Sequence, residues 1–106
     1  MQFGQQFAIS SVTRFELGRA RTELKLERSR QLLDGFLAEV PTLNFDDQSA
    51  DLGSEIYARL EGEGRRIGIP DSMIAGQAVA MGLVLVTNNQ KHFERIPELQ
   101  TQNWLQ

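Results

Sequence analysis

The stretch from Ile67 to Phe93, IGIPDSMIAGQAVAMGLVLVTNNQKHF, does most to limit what this chain can fold into, because a helix start, a buried helix, a buried strand and a polar turn follow one another without a break. Pro70 has a preset φ and no N–H, so it suits the first helical position, where an amide would lack an intrahelical partner anyway. Asp71 then falls in the first turn. From Asp71 to Met81 the residues Met73, Ile74, Ala75, Ala78, Val79 and Ala80 cover most of the helix circumference, which predicts packing on more than one side. Gly82 ends the helix. Leu83 to Thr87 is a continuous apolar run with β-branched members, the pattern of a strand covered on both faces in a parallel sheet. Asn88 and Asn89 close that strand.

In a parallel α/β sheet a helix runs antiparallel to the strand that follows it. The first turn of the helix and the last residue of the strand therefore share one sheet edge, and Asp71 and Asn89 are expected to be neighbours. Ligands in open α/β sheets bind outside the carboxyl ends of the strands, which is this edge.

Earlier in the chain, Phe7 to Val12 reads as a short strand, followed by Thr13 as a helix cap with Glu16 three residues on. The same geometry carries Glu16 to the edge already given to Asp71 and Asn89, so three polar groups from separate segments converge. Taken alone, Glu16 also fits a capping box, in which its carboxylate favours the positive helix end by about 0.3–1 kcal/mol. Helical spacing continues through Leu26, Leu33, Phe36, Leu37 and Val40, a stripe for core or for a partner surface. Pro41 to Phe45 is a break and an edge strand. Asp46 or Asp47 next caps a helix with Leu52, Ile56, Tyr57 and Leu60 on its buried face. Asp46, Asp47, Asp51 and Glu55 crowd that helix start, where capping and the helix dipole explain them better than an acidic site does. Gly62, Gly64 and Gly68 around Arg65 and Arg66 form a turn, without the pattern of a phosphate-cradling loop. Lys91 to Phe93 begins a short helix, and Leu99 to Trp104 adds a final strand. His92 is the only histidine, which excludes a histidine-rich metal site, and it reads most simply as an exposed helix residue.

The words I-P-D-S-M-I-A and L-V-T-N-N-Q-K-H-F together resemble the second half of the PIN-domain nucleases, and within them the VapC toxins of bacterial toxin–antitoxin pairs. There an aspartate opens a helix and a T-x-N or T-x-D turn ends a strand. The words I-S-S-V-T-R-F-E-L likewise resemble the second strand and following helix of VapC-like proteins. The resemblance covers residues 7 to 106. It implies an α/β fold, a PIN-like parallel β-sheet flanked by helices on both faces, with residues 1–106 forming a single domain. It further implies RNA cleavage with Mg²⁺ or Mn²⁺, Asp71 and Glu16 holding the ion, Asn89 completing the catalytic set, and Thr87 and Asn88 orienting the ion, its waters or the substrate. Asn89 stands where many relatives carry an aspartate, and offers a neutral oxygen instead. Implied partners are an RNA substrate, a cognate antitoxin protein, and a second copy in a homodimer or a domain-swapped oligomer.

Composition sets outer bounds. A chain of 106 residues is the size of one domain. A net charge of −3 argues against a protein that coats nucleic acid by bulk electrostatics. Arg14, Arg19, Arg21, Lys25, Arg28 and Arg30 nevertheless crowd the first thirty residues against Glu16, Glu23 and Glu27, either as a solvated helix surface or as a face for a phosphate backbone. The lack of cysteine removes disulfides and thiol nucleophiles. The longest apolar run falls far short of the ~20 residues that span a bilayer. Without a visible signal peptide, a cytoplasmic protein without membrane attachment is the expectation.

PIN domains open with a hydrophobic central strand ending in an aspartate, and Met1 to Gln6 does not supply one. The sequence therefore reads as apparently N-terminally truncated, with weakened nuclease activity and unpaired strand edges that favour self-association. The alternative is a catalytically inactive PIN remnant acting as a binding or oligomerisation module.

Overall fold

The computed structural model describes residues 7–87 and 89–103. Asn88, Met1 to Gln6 and Trp104, all of which carry a reading given above, lie outside the described residues. Packing divides the chain into two compact units, Met1–Asn44 and Phe45–Gln106.

In the first unit, β1 (Ile9–Ser10) is followed by α1 (Ser11–Arg21), α2 (Glu27–Glu39) and β2 (Thr42–Leu43). The two strands pair in parallel, Ile9 opposite Thr42 and Ser10 opposite Leu43. The helix begins three residues earlier than the sequence reading placed it, at Ser11 behind a Ser10 cap instead of behind Thr13. Ser10 is the N-cap, its hydroxyl accepting the Val12 N–H at 3.0 Å. A serine immediately after a short strand is as good a cap as a threonine, and once it acts, Thr13 is swept into the helix. Glu16 consequently sits in the second turn of α1, and the first turn holds no acidic residue. The expected strand from Phe7 to Val12 shrinks to two residues for the same reason. The Arg14 guanidinium donates to the Leu37 carbonyl and the Thr42 hydroxyl, tying α1 to α2 and β2. No residue of α1 or α2 is fully buried, so the Leu33, Phe36 and Leu37 stripe is only half covered within this unit.

The second unit holds α3 (Asp47–Gly62), α4 (Ile69–Met81), β3 (Val84–Val86), α5 (Gln90–Phe93) and β4 (Gln100–Gln102). Asp46 caps α3 by accepting the Ser49 N–H at 2.9 Å, as its crowding with other acids predicts. Pro70 falls in the first turn of α4 behind the Gly68 cap. That helix ends at Gly82, whose φ of 65° is left-handed, while Leu83 N–H reaches back to the Ala78 carbonyl at 2.8 Å. This closure satisfies carbonyls that the last helical turn would otherwise leave open.

Helices α3 and α4 cross on glycine and serine. A Cβ placed on Gly76 would lie 2.4 Å from the backbone nitrogen of Gly53 and 2.7 Å from the Ser49 carbonyl oxygen. Around this crossing Ile56, Leu60, Ile67, Ala75, Ala78, Phe93, Ile96 and Leu99 form one buried cluster, with Val79 and Leu85 packed against it. Strand β3 pairs in parallel with β4, Val84 opposite Gln100 and Val86 opposite Gln102. The expectation of a strand covered on both faces is corrected here. Val84 is 48% exposed, and only Leu85 of the strand packs on the cluster. An unbroken apolar run identifies a strand, but its composition does not say how many layers cover it.

Candidate functional site

Asp71 lies in the first turn of α4, where backbone N–H groups without intrahelical partners make the helix end favourable for a carboxylate and for anions. Its neighbour Ser72 is buried, as is Ala75 one turn on, so the helix end is fixed by packing while the carboxylate itself stays 35% exposed. Helix α4 returns through Gly82 into β3, and β3 delivers the turn that begins at Thr87.

That turn is built by its own polar groups. The Thr87 hydroxyl accepts the Asn89 N–H at 3.0 Å, and the Asn89 carbonyl accepts the His92 N–H at 3.1 Å, opening α5. Thr87 N–H is itself taken by the Gln102 carbonyl at 2.9 Å, which extends the β3–β4 ladder to the base of the turn. Phe93 and Ile96 then enter the buried cluster. The turn is thus held by a hydrogen-bonded ladder at one end and by apolar side chains at the other.

The sequence expects Asn89 beside Asp71, whereas the contact that the structure shows for the Asp71 carboxylate is with His92 on α5. Its Nδ1 lies 3.2 Å from Asp71 Oδ2. A carboxylate only accepts, so Nδ1 donates. The histidine read from the sequence as an exposed helix residue is 35% exposed and engaged with the candidate acid. One signal could have found it: in a short helix opened at Asn89, the third residue on lies one turn away, on the side of the cap.

Glu16 belongs to the first unit, half-buried on α1. Among the described residues no group of three or more His, Asp or Glu side chains is placed to hold a metal ion. The donor chemistry nevertheless suits a hard divalent cation. Mg²⁺ takes one or two protein carboxylates and fills its remaining positions with waters and substrate phosphate. An accessible aspartate beside a turn of hydroxyl and amide oxygens is a donor set of that kind.

A PIN domain model matches residues 5–99 of the chain. Over 101 residues the chain is 39% identical to the tRNA(fMet)-specific endonuclease VapC of Shigella flexneri, an alignment covering 93% of this chain and 76% of that relative. A chain in the crystal structure of VapBC2 from Rickettsia felis, bound to a DNA fragment from their promoter, superposes with a TM-score of 0.85 at 35% identity, covering 95% of this chain and 77% of that one. A chain in DNA-bound VapBC from Salmonella typhimurium superposes with a TM-score of 0.82 at 40% identity, covering 92% and 74%. The words I-P-D and T-N-N-Q-K-H-F, joined in space by Asp71 and His92, thus sit in a chain that belongs to the PIN-domain family and, within it, to the VapC-type ribonucleases.

Proposed function

We propose that this protein is a metal-dependent endoribonuclease of the VapC type, the toxin of a toxin–antitoxin pair, with residues 1–106 read as one PIN-like domain working in the cytoplasm. The observation that carries this reading is the accessible Asp71 carboxylate at the α4 N-terminus, joined by a hydrogen bond to His92 on α5, the short helix that follows the turn closing β3. Nucleases of this type depend on a divalent cation, here Mg²⁺ or Mn²⁺.

Asp71 and Glu16 are the carboxylates that would hold the ion, with Asn89 contributing a neutral oxygen. Once bound, such a cation lowers the pKa of a coordinated water and offsets charge on the scissile phosphate. The chain's own part is positioning. Because the Thr87 oxygen accepts the Asn89 N–H, its own hydroxyl proton remains to be donated to a water or a phosphate oxygen. Asn88 is assigned a similar orienting role.

The Shigella relative's name makes initiator tRNA the first substrate to test, and the VapBC assemblies make an antitoxin protein the expected partner. Apolar side chains on the first unit support a partner as well: Phe15, Leu26, Leu32 and Phe36 all remain exposed. A homodimer or swapped oligomer is part of the same reading.

The test is cleavage of initiator tRNA by the purified chain with Mg²⁺ or Mn²⁺. Cleavage is expected to cease with a chelator, in Asp71→Asn, and on adding the antitoxin. A chain that cleaves no RNA and binds neither ion saturably would instead be an inactive binding module.

A further inference from the structure

Among the described residues, His92 is the titratable side chain seen paired with the candidate acid, and the roles given above leave it without a task. Its imidazole takes one carboxylate oxygen of Asp71, Oδ2, at 3.2 Å. Neither side chain is deeply buried, each being 35% exposed, so ordinary surface pairing would contribute little to stability. The way the histidine is mounted is less ordinary. It sits in a single helical turn whose backbone is fixed by the His92 N–H to Asn89 carbonyl bond, and the adjacent Phe93 is buried in the core. On the other side, Asp71 is flanked by the buried Ser72 on α4. Both partners therefore stand on rigid bases, and the bond between them selects one orientation of a carboxylate that would otherwise turn freely.

We propose that His92 is a positioning residue for a divalent cation: by holding Oδ2 through Nδ1–H it aims the Asp71 carboxylate and leaves the other oxygen to the ion. This rests on the reading of Asp71 as a metal ligand. Hydrogen bonds to a ligating group typically govern metal affinity by roughly 10–100-fold, because they fix the ligand's direction before the metal arrives. A purely structural role would change stability and leave affinity alone.

The experiment is calorimetric titration of the full chain with MnCl₂, alongside urea unfolding of each variant. His92→Phe keeps the ring volume and removes the donor. His92→Asn places a side-chain N–H near the position of Nδ1. The expected result is Mn²⁺ affinity weakened by about 10-fold or more in His92→Phe, restored to within about 3-fold of the parent in His92→Asn, and lost in Asp71→Asn. Equal affinity in the parent and His92→Phe, with Asp71→Asn inactive in binding, overturns the positioning role and leaves the metal reading standing. Equal loss in His92→Phe and His92→Asn also overturns it, since the donor would then not be the cause. Undiminished affinity in Asp71→Asn, or no saturable binding by the parent chain, overturns the metal reading itself and this inference with it.

Discussion

Gly76 faces Gly53 so closely that a Cβ on the former would fall 2.4 Å from the latter's backbone nitrogen and 2.5 Å from its Cα. Helices α3 and α4 therefore meet backbone to backbone, and the start of α4, where Asp71 sits, takes its direction from that contact.

The first prediction is a reversal of sign for one substitution. Gly76→Ala forces backbone apart and should cost about 1–3 kcal/mol or more by urea unfolding, the scale of overpacking. Gly18→Ala and Gly35→Ala place their Cβ in open space on α1 and α2. They should instead stabilise by up to about 1 kcal/mol, the helix-propensity difference.

Asp71→Asn should leave stability within about 1 kcal/mol of the parent, the scale of a helix-dipole contact, while RNA cleavage is lost. Urea midpoints and cleavage assays on the same preparation separate the two effects. A variant that unfolds would show that the carboxylate supports the fold.

Adjacent positions on β3 should respond differently. Leu85 packs on the buried cluster, whereas Val84 is 48% exposed. Leu85→Asp should unfold the second unit because it buries an unpaired charge. Val84→Asp should leave a cooperatively folding protein. Circular dichroism melts compare them, and equal tolerance at both positions would contradict the side on which β3 is covered.

Acid stability should depend partly on Glu98. The Arg59 guanidinium donates to both of its oxygens, at 3.0 and 2.6 Å, and these hydrogen bonds hold the carboxyl below its ordinary value. A depressed folded value means the contribution is complete above the ordinary glutamate range and is lost as pH falls through the lower, folded value, because the unfolded chain takes up the proton first. Urea midpoints should therefore fall below about pH 4 and fall less steeply in Glu98→Gln. Asp34, held low by Arg21 in the same way, leaves a residual slope in the variant. With side chains 39% and 41% exposed, the Arg59–Glu98 pair should contribute no more than about 1 kcal/mol at neutral pH.

The α4–β3–α5 succession was legible because each junction carries its own local chemistry: Pro70 at the start, Gly82 at the stop, Thr87 and Asn89 at the turn. The Asp46 cap was legible for the same reason. Less could be read where two residues compete for one task. Ser10 and Thr13 both suit a cap, and the choice between them decides which turn of α1 carries Glu16. The burial of β3 depends on neighbours distant in sequence, so the apolar run alone suggested more cover than Val84 receives. His92 reads from the sequence as an exposed helix residue because a lone histidine carries no pattern and its partner lies 21 residues away.

Phe93 gives the polar contact an apolar dependency. Its ring is one of the side chains that seat the turn after β3 in the core, and it meets the imidazole of the adjacent His92 edge-on, with ring centroids 6.3 Å apart. Under the positioning role proposed for His92, truncating Phe93 would therefore cost both fold stability, about 3–5 kcal/mol for Phe93→Ala, and the aim of the Asp71 carboxylate. On that proposal volume and function are not separable at Phe93, even though no atom of its side chain is able to bind an ion.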